Sequence, residues 1–274
     1  MALLAAGLLL VALTAFLREV SPPWGATQEA AIRDVARLAG ERVAARIPRG
    51  IGQIWIPELG RADRCTTCHV AMDGGPALLA AANPARSHPR PELLAAHPVE
   101  RFGCTLCHGG QGAATTLEGA HDDLETGDDP LLSTARAAKY GLKAAELLEM
   151  RCNACHRAQA TVEGMPVLNA AKALVEAKRC RSCHVIEGKG AHVGPELDRA
   201  GDAPPEHLTF PAEWAHPRTS LAWHAEHLKL PTAVVPGSEM KEFHFTDREA
   251  LSLALLVRSW RTWRLPAAWI PKAR

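Results

Sequence analysis

The chain has 274 residues, which is enough for one large domain or two modest ones. Its formal net charge is only +1, so the charge gives no indication of nucleic-acid binding or of an acidic partner. Hydrophobic residues make up 47% of the chain but aromatic residues only 5%, so another group is expected to fill the core.

The chain begins with an uncharged apolar run at residues 2–17. As a helix this run would be about 24 Å long, shorter than the roughly 30 Å hydrocarbon core of a membrane. It fits either a signal peptide or a short membrane anchor over residues 1–20. No small-x-small cleavage site follows it, which favours the anchor, although the nearest arginines lie downstream of the run.

The segment 21–60 is predicted to be a helical stalk or linker. Ser21, Pro22 and Pro23 should end the first helix. Residues 26–47 carry apolar side chains at helical spacing among alanines and alternating charges, which predicts a second helix. This helix is expected either to lie beside a partner or to be an ordinary amphipathic helix of the following domain.

All eight cysteines fall in four copies of the pattern Cys-x-x-Cys-His. This pattern is the attachment signature of c-type haem, in which two thiols bond the porphyrin and the adjacent histidine coordinates the iron. Zinc ribbons also use paired Cys-x-x-Cys, but zinc does not require a histidine after every second cysteine. We therefore predict four covalently bound haem c groups, held by Cys65, Cys68 and His69; by Cys104, Cys107 and His108; by Cys152, Cys155 and His156; and by Cys180, Cys183 and His184.

Residues 61–167 are predicted to form a three-haem module. They are rich in Gly, Pro and His and have few long periodic segments, so short helices and loops are expected around a core filled by haem. A longer helix is expected at 134–151, leading into the third motif. No β-pattern of useful length is present, so the predicted fold class is mainly α with much coil.

Three histidines outside the motifs lie in the same region as the first three haem sites: His88, His97 and His121. Their number equals the number of haems there, and histidine is a common iron ligand. Bis-histidine ligation is therefore predicted for haems one to three, with Met165 as the rival ligand for the third haem. The sequence leaves open which histidine serves which haem.

Residues 168–274 are predicted to form a separate single-haem domain. Helices are expected at 170–178 and at 246–263, where Thr246 and Glu249 make a capping box. The segment Gly194-Pro195-Glu196-Leu197 after His184 resembles the Gly-Pro-x-Leu segment of class I cytochromes c. The resemblance implies that the carbonyl of Pro195 accepts a hydrogen bond from His184 and orients its ring.

The stretch from Trp223 to Met240, ending in Pro-Gly-Ser-Glu-Met, resembles cytochrome subunits of membrane oxidases, particularly the cbb3 type. Those subunits usually read Ser-x-Met-Pro, whereas Lys241 follows the methionine here. The resemblance implies that Met240 is the sixth ligand of the fourth haem. Most of the other C-terminal histidines are expected to face solvent or haem propionates, and His227 is the favoured propionate partner: His192, His207, His216, His224, His227 and His244.

Residues 52–184 resemble multihaem cytochrome subunits found with quinol-oxidising cytochrome b-type complexes; Trp55 to His69, His97 to Gly112 and His121 carry the likeness. The resemblance implies a membrane-anchored electron-transfer subunit on the periplasmic side of the bacterial inner membrane. Its expected partners are cytochrome b-type subunits and a redox protein that accepts electrons. No catalytic residue is predicted; the alternative is a multihaem reductase or peroxidase with an open haem site.

Overall fold

The computed structural model describes residues 2–20, 22–121, 137–138 and 140–272. The chain divides into two compact units, residues 1–128 and residues 129–274. The described residues are mainly helical with much coil, which confirms the predicted fold class at that level.

The first unit holds mostly short helices and one hairpin. Its described elements are α1 (Ala2–Val20), α2 (Pro23–Ala39), α3 (Glu41–Ala44), β1 (Ile54–Ile56), β2 (Arg61–Asp63), α4 (Pro91–Ala96), α5 (Val99–Phe102), α6 (Thr105–His108) and α7 (Leu117–Ala120). The second unit holds the longer helices that surround the last two motifs. They are α8 (Ala144–His156), α9 (Pro166–Ala177), α10 (Ser220–Lys229), α11 (Pro231–Val234) and α12 (Asp247–Ser259).

Helix α1 covers the predicted apolar run, and its large apolar side chains are exposed, among them Leu8, Val11 and Phe16. Within the described part of the chain, no helix combines the length and the apolarity needed to cross a membrane. The predicted N-terminal membrane helix therefore receives no support from the structure.

The predicted helix at 26–47 is two helices, because Gly40 adopts a positive φ of 95° between α2 and α3. Pro22 and Pro23 precede and begin α2, where proline is tolerated because the first N–H groups lack helical partners. The buried side chains Ile32 and Val35 of α2 pack in one cluster with residues that follow the first motif, including Leu78. Helix α2 is therefore an amphipathic helix of the first unit, the second of the two interpretations.

A short hairpin, which the sequence did not indicate, precedes the first motif. Strands β1 and β2 pair antiparallel, with Ile54 opposite Asp63. A 3-10 turn at Pro57–Leu59 and a left-handed Gly60 connect them. Each strand has only three residues, too few for a visible alternation of apolar and polar side chains. The hairpin matters because its last residue, Asp63, lies next to two of the motifs.

In the second unit, helix α8 carries the third motif at its C-terminal end and packs against α9 and α12. The buried Asn153 of α8 donates a hydrogen bond of 2.7 Å to Ser259 of α12. The buried carboxylate of Glu149 accepts from the backbone N–H of Leu168 at 2.8 Å, near the start of α9. The third motif thus lies in one compact unit with the fourth, whereas the predicted module 61–167 groups it with the first two. Residues 134–136 and 139 of the helix expected at 134–151 lie outside the described residues.

Helix α12 begins as predicted. Thr246 is its N-cap, and Glu249 completes the capping box by accepting from the Thr246 N–H at 2.9 Å. The helix ends at Ser259, a little before the predicted residue 263.

We expect Thr246→Ala to lower the free energy of unfolding of this unit by about 1 kcal/mol, because an N–H loses its cap. Denaturant titration would measure this loss. Thr161→Ala, at an exposed coil position, is the control and should change the free energy of unfolding little; equal losses in both variants would contradict the capping role.

Candidate haem sites

Each motif has a local structure that brings its two thiols and its imidazole onto one turn of chain. Motifs one and four form 3-10 turns at Cys65–Thr67 and Cys180–Ser182. Motif two forms α6, and motif three ends α8. The structure describes all eight cysteines, and none of them forms a disulfide. This arrangement fits covalent attachment of haem, which needs two free thiols next to a histidine.

His69 of the first motif faces His121, which follows α7. Their ring centroids lie 6.2 Å apart and the ring planes are nearly perpendicular, at 79°. A metal–imidazole bond is about 2 Å long, so a metal between two imidazoles holds their ring centres about 6 Å apart. Burial, and next the neighbouring His121, lower the pKa of His69. The lowered pKa favours the neutral imidazole, which is the form that binds metals.

His108 of the second motif faces His88 with the same separation. The ring centroids again lie 6.2 Å apart, with an interplanar angle of 67°. Burial is the main reason that the pKa of His88 is lowered. Ordinary edge-on contacts between rings also occur at about 4.5–7 Å. In both pairs, however, a motif histidine faces one of the histidines predicted as a distal ligand, which is the arrangement that an iron between them requires.

The other ring nitrogen of several of these histidines is already engaged. His88 Nδ1 lies 3.0 Å from the carbonyl oxygen of Arg90, and His97 Nδ1 lies 3.1 Å from that of Leu93. His156 Nδ1 contacts the side-chain oxygen of Gln159. Metal-binding histidines usually donate their second N–H to an oxygen, and contacts between Nδ1 and an oxygen are consistent with that pattern.

His97 is the third predicted distal histidine and lies at the C-terminal end of α4, in the first unit. Its ring makes an edge-on contact with Phe102, with the centroids 5.6 Å apart. Its role as a haem ligand stays a prediction.

A single carboxylate connects the first two motifs. The fully buried Asp63 accepts from the backbone N–H of Cys65 at 3.1 Å and from that of Cys104 at 2.8 Å. It also accepts from the N–H and the hydroxyl of Thr105, at 2.9 and 3.1 Å. Burial alone would raise the pKa of Asp63, but these hydrogen bonds outweigh it and hold the pKa below its usual value. Asp63 is therefore a buried anion at neutral pH.

The glycine before the second motif makes room for the Asp63 side chain. Gly103 precedes the second motif with a φ of +67°, and a Cβ there would lie 2.9 Å from the Asp63 carboxylate and 2.6 Å from Ile56. Any larger residue would push the second motif away from the hairpin. A glycine is thus required here by both conformation and space.

At the third motif, Met165 is buried and its sulfur lies 3.6 Å from Cys152 Sγ. The role of Met165 as the rival ligand of the third haem stays a prediction.

Ion pairs connect the third motif with the fourth. Arg157, the residue after His156, lies 3.2 Å from the Asp198 carboxylate and 3.6 Å from that of Glu187. Glu187 also pairs at 3.2 Å with Arg181, which lies inside the fourth motif. Lys172 of α9 adds to the same region by donating to three backbone carbonyls at the end of α8, those of His156, Arg157 and Gln159. These contacts hold the two motifs in a defined arrangement within the second unit.

The fourth motif has the histidine contact that the cytochrome c resemblance implies. His184 Nδ1 lies 2.8 Å from the Pro195 carbonyl; because a carbonyl can only accept, the histidine donates. Gly194 packs directly against the imidazole, and a Cβ on it would lie 2.6 Å from His184 Cε1. The ring is thereby fixed in orientation with Nε2 available to iron.

Two C-terminal histidines are more enclosed than expected. His192, His207, His216 and His244 are exposed, as predicted for solvent-facing residues. His224 and His227, one turn apart on α10, each have a buried ring nitrogen that finds no hydrogen-bond partner among the described residues. Burial is the main cause that lowers the pKa of His224 to about 3. Burial, and then the charge of His184, lower the pKa of His227.

Met240 is half-buried and lies between α11 and α12. Its backbone N–H donates to Ser238 Oγ at 3.3 Å, after the left-handed Gly237. The role of Met240 as the sixth ligand of the fourth haem stays a prediction. The enclosed His227, whose pKa is lowered by burial and then by His184, is a second candidate ligand of that haem.

Sequence reasoning missed Asp63, Arg157 and the enclosure of His224. Their roles depend on contacts between residues that are far apart in the chain. Asp63 and Cys104, for example, are hydrogen-bonded although 41 positions separate them. A buried carboxylate next to a motif has no local sequence signal.

Residues 168–260 match the family model of cytochrome c. This match supports a cytochrome c domain in the C-terminal part of the chain and a haem c electron-transfer function. Comparisons with curated proteins and with solved structures found no match.

Proposed function

We propose that this chain is a tetrahaem c-type cytochrome that transfers electrons from three bis-histidine haems to a His/Met haem. The main supporting observation is that His69 and His108 each face a non-motif histidine at a ring separation of 6.2 Å. The cytochrome c domain at 168–260 supports the last site. Each haem, when bound, supplies an iron that cycles between the ferric and ferrous states.

The chain's own groups account for attachment. Each thiol adds across one vinyl double bond: its sulfur bonds to carbon, its hydrogen passes to the neighbouring carbon, and no oxidant or reductant is consumed. We assign His121 to the first haem and His88 to the second; His97 remains the predicted third distal histidine. Because a thioether donates less strongly to ferric iron than imidazole does, the Met240-ligated haem should have the highest potential.

The setting of this transfer is also proposed. Helix α1 exposes apolar side chains along its length, which suits attachment to a membrane surface or a membrane subunit. We place the chain on the periplasmic side of the bacterial inner membrane, where quinol-oxidising cytochrome b-type subunits would donate electrons and a redox protein would accept them. A chain in which a cleavable export signal replaces residues 1–20 should then leave the membrane fraction but keep its haems.

Haem stoichiometry tests the proposal directly. Mass spectrometry of the mature chain should show four covalent haems. Cys180→Ala combined with Cys183→Ala should retain three, since thioether attachment at one motif is abolished. Ser182→Ala, between the same cysteines, is the control and should keep four. A mature chain without covalent haem would refute the proposal.

A redox titration tests the direction of transfer. The highest potential should disappear in the Cys180→Ala/Cys183→Ala variant, because that variant lacks the fourth haem. If the lowest potential disappears instead, electrons do not flow towards the C-terminal domain. Carbon monoxide binding to the reduced wild-type chain would indicate an open iron and favour the alternative function, a reductase or peroxidase.

A further inference from the structure

The first cysteines of motifs one and two are neighbours in space although 39 positions separate them in the chain. The Sγ atoms of Cys65 and Cys104 and a carboxylate oxygen of Asp63 all lie within 4.8 Å of one another. Hydrogen bonding to Cys104, then burial and the charge of Asp63, raise the pKa of Cys65. Two attachment points for two different haems thus meet at one buried anion.

We propose that Asp63 is a positioning residue shared by the first two haem sites, which joins these haems into one coupled pair and lowers the reduction potentials of both. This inference rests on the proposed function, because it requires a haem at each motif. It goes beyond that function by naming one residue that acts on two haems.

The hydrogen bonds explain the positioning. One carboxylate oxygen holds the first residue of motif one, and the other holds the first two residues of motif two. Neither motif can move without breaking a bond to this side chain. Thioether bonds to the sulfur atoms of Cys65 and Cys104 would bring the edges of two porphyrins close together. A short distance between porphyrin edges favours rapid electron exchange between haems.

The charge explains the effect on potential. A fixed negative charge stabilises the ferric state over the ferrous state, since the ferric centre carries one more positive charge. Asp63 is fully buried, so water screens this interaction little. Because the same carboxylate contacts both motifs, both potentials should depend on it.

Other uses of these atoms are chemically possible. An aspartate and two cysteines could hold a metal ion, and two neighbouring thiols could form a disulfide. Each cysteine, however, belongs to a complete Cys-x-x-Cys-His motif, and its partner cysteine and histidine would then have no role. Thioether formation uses every residue of both motifs.

Asp63→Asn tests the proposal, because asparagine keeps the size of the side chain and removes its charge. Asp73→Asn is the matched control: Asp73 follows the same motif but is exposed. We expect Asp63→Asn to keep four haems and to shift two of the four potentials upward, each by about tenfold in the one-electron equilibrium constant, or about 59 mV. Asp73→Asn should leave all four potentials almost unchanged. Movement of one potential or none, or equal shifts in both variants, would overturn the proposal.

A second measurement remains decisive if Asp63→Asn fails to load haem. Circular dichroism of the wild-type Soret band should show the paired positive and negative lobes of two coupled porphyrins. This couplet should be lost in Cys104→Ala/Cys107→Ala, which lacks the second haem. A wild-type chain with four haems but no such loss would refute the pair and leave the proposed function intact. A Cys65–Cys104 disulfide or a bound metal ion in peptide mass spectra would refute it as well.

Discussion

Replacing His88 with alanine should open the second haem to an external ligand. In the structure the His88 ring faces His108 at 6.2 Å, and its Nδ1 contacts the backbone N–H and carbonyl of Arg90. Without the imidazole, the reduced iron should bind carbon monoxide at one haem per chain. The potential of that haem should rise by at least tenfold in the one-electron equilibrium constant, about 59 mV, because a donor to ferric iron is lost.

The assignment to the second haem can be tested in the same experiment. The His88→Ala change is repeated in a chain that carries Cys104→Ala and Cys107→Ala. Since that chain has no second haem, His88→Ala should add no carbon monoxide binding to it. His192→Ala, at an exposed position, is the control for histidine removal and should leave every haem six-coordinate. Carbon monoxide binding by His88→Ala in both backgrounds would show that His88 serves another haem.

Sequence patterns were sufficient where local structure depends on adjacent residues. The four Cys-x-x-Cys-His motifs form turns that bring two thiols and a histidine together. The capping box at Thr246 and Glu249 lies at the predicted start of α12. In both cases the partners lie within one helical turn, so local chemistry largely determines the structure.

Sequence patterns were insufficient where a role depends on distant partners. The number of histidines predicted bis-histidine ligation but gave no pairing. The structure places His121, after the second motif, opposite the first motif, and His88, before the second motif, opposite the second. Asp63 was overlooked for the same reason, since three of its four hydrogen bonds come from a motif 41 or 42 residues away. Such contacts follow from the tertiary path of the chain, which no local pattern records.

The division of the chain into two units also depends on contacts between distant residues. The predicted module 61–167 rests on composition and motif count, whereas the structure groups the third motif with the fourth. Glu149, Asn153 and Arg157 of the third-motif region are hydrogen-bonded or ion-paired to the C-terminal domain. On the proposed function, electrons that reach a third haem would already be in the unit that carries the fourth motif.

A large change in redox behaviour is also expected from Met240→His. This variant exchanges a thioether for an imidazole, which is a stronger donor to ferric iron. The potential of the fourth haem should fall by at least tenfold in the one-electron equilibrium constant, about 59 mV. A redox titration would measure this fall, and the methionine–iron charge-transfer band of the oxidised protein should disappear.

His227 provides the contrasting case, since it is enclosed on α10 and lies near His184. If His227 were the sixth ligand, His227→Ala would abolish six-coordination at the fourth haem, and Met240→His would change little. If Met240 is the ligand, His227→Ala should keep the charge-transfer band. Met150→Leu, a half-buried methionine on α8, controls for the loss of a thioether elsewhere in the unit. If Met240 is the ligand, the high potential of the fourth haem depends on its thioether. Met240→His should then also slow electron transfer from the third haem to the fourth.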